Sequence, residues 1–255
     1  MSMTKRKIGQ NFLINRRIAK REIEYADIKK DDVVLEIGPG KGIITKMLAE
    51  KAQKITAIEI DENLVRELKE DLPDNVLLIN GDVLKIDFKT LPKFNKIVSN
   101  LPYHISSPIT FKLLACDFTL AVLIYQKEFA ERMVAKQCSK DYSRLSVGVY
   151  YKSLCEIMET IPKTCFYPQP KVDSCIVRLF PRVSPPFSVL DETFFSDLTR
   201  KLFNHRRKKI KTTIREEYGI EIENIPYQNM RVEEIHPEQI GELSNFLFQF
   251  NDVDT

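Results

Sequence analysis

The tetrapeptide Asn100-Leu101-Pro102-Tyr103 carries side chains suited to chemistry on an amine. The Asn100 amide oxygen and the Leu101 or Pro102 carbonyl can accept hydrogen bonds from an exocyclic amino group, and the Tyr103 ring can stack on a base. Such contacts localise the lone pair of the amine and orient it for in-line displacement, which requires no general base. The tetrapeptide thus has the groups needed to hold a nucleobase amine for methyl transfer.

The surrounding sequence predicts that this tetrapeptide lies on a strand-to-helix turn. Residues 96–99 before it are typical of the end of a buried strand, and Ser106-Ser107-Pro108 after it supplies helix caps and a proline for a first helical turn. In open α/β sheets, ligands bind at such turns, outside the carboxyl ends of the strands.

A second set of candidate residues lies at the ends of three predicted strands. The loop Glu36-Ile-Gly-Pro-Gly-Lys-Gly42 lacks the spacing of dinucleotide and P-loop motifs, and its acid suits a sulfonium or ammonium group better than a phosphate. Glu59 could accept both hydroxyls of a ribose, and Asp82 could accept an adenine amino group. Each feature alone also fits plain turn geometry or a helix cap. Their order along the chain predicts a site for S-adenosylmethionine.

Strand and helix patterns alternate through the first half of the chain, which implies βαβ units and a parallel sheet. Predicted strands lie at residues 33–37, 54–60, 76–79, 95–99 and 120–125, and predicted helices at residues 1–30, 43–51, 62–72, 106–115 and 127–137. Three more strand-like runs, at 145–152, 155–161 and 172–180, indicate an antiparallel edge. After the proline-rich segment Pro181–Pro186 the pattern is helical. We therefore predict an α/β domain at residues 1–183 and a small all-α domain at residues 184–255.

Basic residues are clustered although the net charge is only +3. Residues 200–215 contain eight Lys and Arg and no acid, and a second cluster lies near the N-terminus at Arg16, Arg17, Lys20 and Arg21. Two such patches favour a polyanion partner, although either alone also fits a solvated helix face. His104 is interpreted as a structural or RNA-contacting residue rather than a base, and three scattered histidines predict no metal site.

The composition also indicates where in the cell the protein is located. Five cysteines form no CxxC pair, which favours reduced thiols. No apolar run is long enough for a transmembrane helix, and the basic N-terminus lacks the apolar segment of a secretory signal. A cytoplasmic protein without a membrane partner is expected.

Several motifs together resemble the ribosomal RNA adenine N6-dimethyltransferases. They are Gln10-Asn-Phe-Leu13, Glu36-Ile-Gly-Pro-Gly40, Glu59, Gly81-Asp82, the Asn100–Tyr103 tetrapeptide and Phe166-Tyr-Pro-Gln-Pro-Lys-Val-Asp-Ser174. The likeness is greatest to the small-subunit branch, which dimethylates two adjacent adenosines near the 3′ end of 16S-type RNA. Leu202-Phe-Asn-His-Arg-Arg-Lys-Lys209 is similar to the basic segment of that branch, and His205 before the arginine pair favours an archaeal or eukaryotic type.

The resemblance implies a class I Rossmann-like methyltransferase with S-adenosyl-L-methionine as methyl donor. It implies that the target adenine lies between Tyr103 and Phe166. The implied cofactor-binding residues are Gln10, Asn11, Leu13, Glu36, Gly38, Gly40, Glu59, Ile60, Asp82, Val83 and Asn100. The basic residues expected to grip RNA phosphates are Arg16, Arg17, Lys20, Arg21, Lys171, Arg206, Arg207, Lys208, Lys209 and Lys211. The implied partner is small-subunit rRNA in a pre-30S-type particle, bound by a monomer.

Three alternative functions share some of these features. DNA adenine methylases use a similar tetrapeptide but usually carry a larger target-recognition domain than residues 184–255 can supply. Large-subunit methylases of the antibiotic-resistance type share the fold, but the motif at residues 166–174 and the basic segment fit the small-subunit branch better. An RNA chaperone that has lost catalysis would not need the intact Glu59, Asp82 and Asn100.

Overall fold

The computed structural model describes residues 10–219 and 223–250, with a seven-stranded sheet at the centre of the first half. The strands of this sheet, in chain order, are β2 (Val33–Ile37), β3 (Lys54–Glu59), β4 (Val76–Asn80), β5 (Lys96–Asn100), β6 (Leu120–Gln126), β7 (Ser153–Ile161) and β9 (Ser174–Pro181). A separate two-stranded sheet contains β1 (Phe12–Leu13) and β8 (Phe166–Tyr167). The predicted parallel sheet is confirmed, and its parallel strands pair in the order β4, β3, β2, β5 and β6.

The antiparallel edge of the sheet is also confirmed. Strand β9 pairs antiparallel with β6, and β7 lies beyond β9. The helices are α1 (Arg16–Ala26), α2 (Ile43–Ala49), α3 (Glu62–Lys69), α4 (Ser106–Leu113), α5 (Lys127–Met133), α6 (Arg144–Lys152), α7 (Glu192–Asn204), α8 (Ile210–Tyr218) and α9 (Pro237–Phe248). The helix predicted over residues 1–30 is shorter, since β1 precedes α1 and residues 1–9 lie outside the described part.

One predicted strand is a helix. Residues 145–152 alternate apolar and other side chains as a strand would, yet they form α6. Ser143 caps this helix, with its backbone N–H donating to the Ser146 hydroxyl at 3.0 Å. Val147 and Tyr151, four residues apart, lie on one face of the helix and join the core of the C-terminal helices. The prediction failed because alternation over eight residues also contains the i, i+4 pairs of a helix.

The contacts divide the chain into two compact units. The first contains residues 1–130 and 154–181, and the second contains residues 131–153 and 182–255. The predicted boundary at residue 183 thus lies close to one division, but residues 131–153 group with the C-terminal helices. The second unit has its own core, with buried side chains that include Leu198, Ile214 and Leu243. No helix of the described residues combines the length and apolar character needed to cross a membrane.

A buried ion pair ties α1 to the amino-terminal end of the sheet. The Lys96 ammonium lies 2.9 Å from the Asp32 carboxylate, with side chains only 11% and 7% exposed. It also donates to the carbonyls of Ala26, at 2.8 Å, and Asp27, where α1 ends. Asp32 in turn accepts from the Asn95 amide at 2.6 Å. Since both charged side chains are almost fully shielded from solvent, removal of one charge leaves the other uncompensated.

We predict that Lys96→Met lowers the free energy of unfolding by about 3–5 kcal/mol, because the Asp32 charge stays buried without its partner. Lys29→Met is the matched control, since Lys29 forms an exposed ion pair with Asp27, with side chains 60% and 70% exposed. Its loss should leave the stability close to that of the wild type, because solvent screens an exposed ion pair. Urea unfolding monitored by circular dichroism measures both values. Equal costs for the two variants would contradict a structural role for the buried pair.

Candidate active site

A cavity of about 310 Å³ lies at the carboxyl ends of β2, β3, β4 and β5. Parallel strands bring their ends to one edge of a sheet, so side chains distant in sequence meet there. The cavity is lined by these residues predicted to bind cofactor: Gln10, Asn11, Leu13, Gly38, Gly40, Glu59, Ile60, Asp82, Val83 and Asn100. Leu101, Pro102 and Tyr103 also line it. The residues predicted to bind the cofactor and those predicted to hold the target base thus line one cavity. An enzyme that transfers a group from a donor to an acceptor requires this arrangement.

Glu59 connects the glycine loop to the end of β3. Its side-chain oxygens accept the backbone N–H of Gly40, at 3.1 Å, and of Asp61, at 3.0 Å. Burial raises the pKa of Glu59, and these N–H groups oppose the rise because they favour the carboxylate. Each oxygen has a second lone pair, which leaves the carboxylate able to accept ligand hydroxyls.

Gly40 has to be glycine for two reasons. Its φ is +57°, in the left-handed region, and a Cβ at this position would lie 2.9 Å from the Phe12 ring. The Phe12 ring forms part of the cavity wall, with the Lys41 ammonium 5.6 Å from its centre. Phe12 lies within the Gln10–Leu13 motif but was not predicted as a site residue, since one aromatic side chain carries no signal that separates a cavity wall from core.

The Asn100 amide is held in one orientation. Its Nδ2 donates to the backbone carbonyl of Asn11 at 3.2 Å. The opposite orientation would place two oxygens against each other, so Oδ1 is directed away from that carbonyl. Oδ1 is buried and has no hydrogen-bond partner among the described residues. A buried acceptor without a donor is costly, so this atom is available to an amino group that enters the cavity.

The Tyr103 ring is also positioned by a hydrogen bond. Its hydroxyl lies 2.7 Å from the hydroxyl of Ser174, which is fully buried at the start of β9. Burial raises the pKa of the Tyr103 phenol, and the bond to Ser174 opposes that rise. Ser174 ends the motif at residues 166–174, so the bond connects this motif to the Asn100–Tyr103 tetrapeptide. No sequence pattern pointed to Ser174 as the partner.

Lys112 holds the loop that carries Asp82. Its ammonium donates to the carbonyls of Val83, at 2.8 Å, and Leu84, at 3.1 Å, and also to that of Ile86. The Asp82 carboxylate itself accepts the Leu84 N–H at 3.0 Å and lines the cavity. The sequence did not indicate Lys112, because a lysine on a predicted helix is usually solvated.

Glu36 does not line the cavity. It is 1% exposed, and one of its carboxylate oxygens has no hydrogen-bond partner among the described residues. Burial raises its pKa to about 8. Glu22 of α1 is fully buried near it, and burial together with the Glu36 charge raises the pKa of Glu22 as well. Contrary to the expectation, Glu36 is therefore not placed to contact a ligand in the cavity.

Phe166 lies in the core rather than beside Tyr103. Strands β1 and β8 pair with Leu13 opposite Phe166 and Phe12 opposite Tyr167. Directly opposed side chains of an antiparallel pair lie on the same face. Leu13 and Phe166 thus share the inner face, at 5% and 2% exposure. Contrary to the expectation, the structure does not place Phe166 where a base could stack on it. Phe166 packs in the hydrophobic core of the first unit instead.

The predicted RNA-binding residues of the first unit lie at the surface, and two of them form ion pairs with acidic side chains. Arg16, Arg17 and Lys171 are exposed. Lys20 lies 3.8 Å from Glu24 on the same helix, and Arg21 lies 3.1 Å from Glu159.

In the second unit, Arg206 is committed to internal bonds. Its guanidinium donates to the Glu233 carboxylate at 2.7 Å and to the carbonyls of Ser139, at 2.8 Å, and Lys140. The expectation that Arg206 grips RNA is therefore not supported, because its donors already have partners. Lys208 pairs with Glu216 at 2.6 Å. The side chains of Arg207, Lys209 and Lys211 in this cluster are exposed.

No group of three or more His, Cys, Asp and Glu side chains within residues 10–219 and 223–250 could hold a metal ion.

Comparison with known proteins identifies relatives over nearly the whole chain. Residues 1–249 match the profile of the family described as ribosomal RNA adenine dimethylase. A protein of Thermococcus sibiricus described as "Probable ribosomal RNA small subunit methyltransferase A" is 46% identical over 94% of this chain and 90% of its own length. A protein of Methanothermobacter thermautotrophicus with the same description is 49% identical over 84% of this chain and 76% of its own length.

Two solved structures share the fold at similar coverage. A dimethyladenosine transferase from Plasmodium falciparum superimposes with a TM-score of 0.76 at 31% identity, over 94% of this chain and 97% of that one. The 23S rRNA methyltransferase ErmE superimposes with a TM-score of 0.68 at 29% identity, over 94% of this chain and 100% of that one.

We predict that Glu36 makes the folded protein less stable as pH rises. Because its folded pKa is raised to about 8 from the ordinary 4.5, the folded state binds a proton that the unfolded state releases. The resulting stability is complete below about pH 4.5 and is lost as pH rises through about 8. Glu36→Gln removes this loss, so its free energy of unfolding should exceed that of the wild type by a few kcal/mol near about pH 8.5. Urea unfolding at about pH 5 and about pH 8.5 measures the difference.

Glu50→Gln, at an exposed position, is the control and should keep the pH dependence of the wild type. If Glu36→Gln and the wild type lost stability equally between the two pH values, Glu36 would be ionised in the folded protein.

Proposed function

The chain belongs to the ribosomal RNA adenine dimethylase family. On that premise, we propose that it dimethylates the N6 amino groups of two adjacent adenosines near the 3′ end of small-subunit rRNA, with S-adenosylmethionine as methyl donor. The reaction would serve the biogenesis of the small ribosomal subunit. The observation that carries the proposal is the Oδ1 atom of Asn100, a buried acceptor without a partner among the described residues, in the cavity at the strand ends.

The cavity fits the proposed donor. Glu59 is placed at the end of β3 to accept ribose hydroxyls, and Asp82 follows β4, where it can accept from an adenine amino group. Gly38 and Gly40 keep the loop free of side chains, so a ligand can approach the main chain. A volume of about 310 Å³ is at the lower end of the range for small-molecule sites. When bound, the donor supplies an electrophilic methyl group on a sulfonium.

The residues of the tetrapeptide would orient the acceptor. The two N–H groups of the adenine amine donate to Asn100 Oδ1 and to the carbonyl of Leu101 or Pro102. These bonds draw the nitrogen lone pair out of conjugation with the ring and direct it at the methyl carbon. Tyr103, fixed by Ser174, stacks on the base. The alkylated nitrogen is strongly acidic and releases its proton to water, so no base is required. The monomethylated amine keeps one N–H, so one of the two contacts would orient it for the second transfer.

The exposed cations would hold the RNA backbone. Arg16 and Arg17 start α1, Lys171 lies on the loop before β9, and Arg207, Lys209 and Lys211 cluster in the second unit. Contacts of this type fix the position of an RNA without reading its bases. Arg206 and Lys208 are less suited to this role because acidic side chains neutralise them.

The names of the relatives favour the small subunit. The archaeal proteins at 46% and 49% identity carry a small-subunit name, whereas the 23S rRNA methyltransferase is only 29% identical. We further propose a pre-30S-type particle as the substrate, a monomer as the active form and the cytoplasm as the location.

We predict that Asn100→Ala lowers the single-turnover rate of methyl transfer by a factor of about 100 or more, since the acceptor for the amine is removed. Affinity for S-adenosylmethionine, measured by calorimetry, should stay within a few-fold of the wild type, because Glu59 and the glycine loop are intact. Asn63→Ala, on the exposed side of α3, is the control for removal of an amide. Wild-type turnover by Asn100→Ala would refute the proposed role.

The double variant Arg207→Glu, Lys209→Glu should bind small-subunit particles more weakly and with a shallower dependence on salt. For every phosphate that the variant no longer neutralises, the slope of log affinity against log salt should fall by about one. Lys51→Glu, Lys54→Glu is the matched control, since it makes the same change of charge at exposed residues near the amino end of β3. Filter binding over a salt series gives the slopes. Identical slopes for the two double variants would remove this cluster from the RNA interface.

A further inference from the structure

Tyr167 is an exposed aromatic residue beside the cavity, and the proposed mechanism does not use it. Its side chain is 65% exposed, whereas Phe166 before it is 2% exposed. A tyrosine ring offers a large, flat apolar surface that other flat groups can cover. The pairing of its strand shows where Tyr167 lies relative to the cavity.

The register of the small sheet directs Tyr167 toward the site. Tyr167 is directly opposite Phe12, so the two side chains lie on the same face of the β1–β8 pair, with Cβ atoms about 5 Å apart. The Phe12 ring lines the cavity, and Tyr167 does not. The Tyr167 ring therefore continues the aromatic wall of the cavity outward, from Phe12 to solvent.

The backbone at Tyr167 is fixed relative to the tetrapeptide. Asn11 Nδ2 donates to the carbonyl of Pro168 at 2.6 Å, and the carbonyl of Asn11 accepts from Asn100 at 3.2 Å. One residue thus links the amide that would receive the target base to the residue after Tyr167. A main-chain hydrogen bond, from Ile14 N–H to the Cys165 carbonyl at 2.9 Å, holds the other end of the β1–β8 pair.

The sequence around Tyr167 also contains two exposed lysines. Lys163 and Lys171 are exposed on either side of it in the sequence. An aromatic ring flanked by cations is a combination that binds single-stranded nucleic acids, since bases stack on the ring and phosphates contact the cations.

From these observations we propose that Tyr167 is a stacking platform for the base of the nucleotide next to the target adenosine. The proposal rests on the proposed function, because the target base is the one held by Asn100 and Tyr103. The target base enters the cavity, and its neighbour in the RNA chain remains at the rim, where the Tyr167 ring lies. This role differs from the one that the resemblance implied for Phe166, which was to stack on the target adenine itself.

The test compares Tyr167→Ala and Tyr167→Phe with the wild type on undermethylated small-subunit particles. Tyr167→Ala should lower both the affinity for the particle and kcat/KM for methyl transfer about tenfold, the effect of removing one base–aromatic stack. Tyr167→Phe keeps the ring and should stay within about twofold. Affinity for S-adenosylmethionine and the melting temperature should not change in either variant. Leu154→Ala, at an apolar residue 52% exposed on β7, controls for loss of exposed apolar surface.

A double-mutant cycle identifies the base involved. Particles are reconstituted with rRNA that lacks one base, on the 5′ or the 3′ side of the target. On one of these two substrates, Tyr167→Ala should bind no more weakly than the wild type, since the stacking partner is already gone. The proposal would be overturned if the loss of affinity caused by Tyr167→Ala added fully to the loss caused by the missing base on both substrates. It would also be overturned if Tyr167→Ala bound and methylated intact particles as the wild type does. If wild-type protein methylated no adenosine, the proposed function would fail, while the particle affinities would still decide whether Tyr167 stacks on RNA.

Discussion

The hydrogen bond from Asn100 Nδ2 to the Asn11 carbonyl is the constraint on which the site depends. A carboxamide presents a donor at one end and an acceptor at the other, and only the acceptor end can receive an amine. Because the Asn11 carbonyl occupies the donor end, Oδ1 is left as a buried acceptor without a partner among the described residues. Asn11 also holds the carbonyl of Pro168, so one residue connects segments that lie 89 and 157 residues away in the chain. The β1–β8 pair is small, yet it positions the acceptor group.

Burial of acidic groups gives the site its electrostatic character. Glu59 is 2% exposed, and backbone N–H groups of Gly40 and Asp61 favour its charged form. A carboxylate in such surroundings attracts a cationic ligand more strongly than it would in water, because little solvent screens the interaction. Burial raises the pKa of Glu36 and Glu22 as it does that of Glu59, but neither of these two residues lines the cavity. Of these three buried acids, Glu59 is the one that lines the cavity and can contact a ligand.

Much of the fold and the site could be predicted from the sequence, because strand ends and turns leave local signals. The glycine loop, Glu59, Asp82 and Asn100 each follow an apolar run, and the parallel sheet brings such positions together. The register between strands that are distant in sequence leaves no local signal. The sequence therefore could not show whether Phe166 or Tyr167 faces solvent, because the pairing of β8 with β1 decides this. Arg206 could not be distinguished from Arg207 for the same reason, since its partner Glu233 is distant in sequence. Residues 145–152 were mistaken for a strand because their apolar pattern fits both periodicities.

The central claim is that the cavity joins a methyl donor to the amino group of an rRNA adenine. It is tested most directly by mass spectrometry of rRNA nucleosides after the protein, isotopically labelled S-adenosylmethionine and undermethylated small-subunit particles have been incubated together. The account predicts that label accumulates in N6,N6-dimethyladenosine, at two adjacent positions near the 3′ end of the RNA. Label in any other nucleoside would contradict this claim. So would adenosine without label under conditions in which the protein binds both substrates.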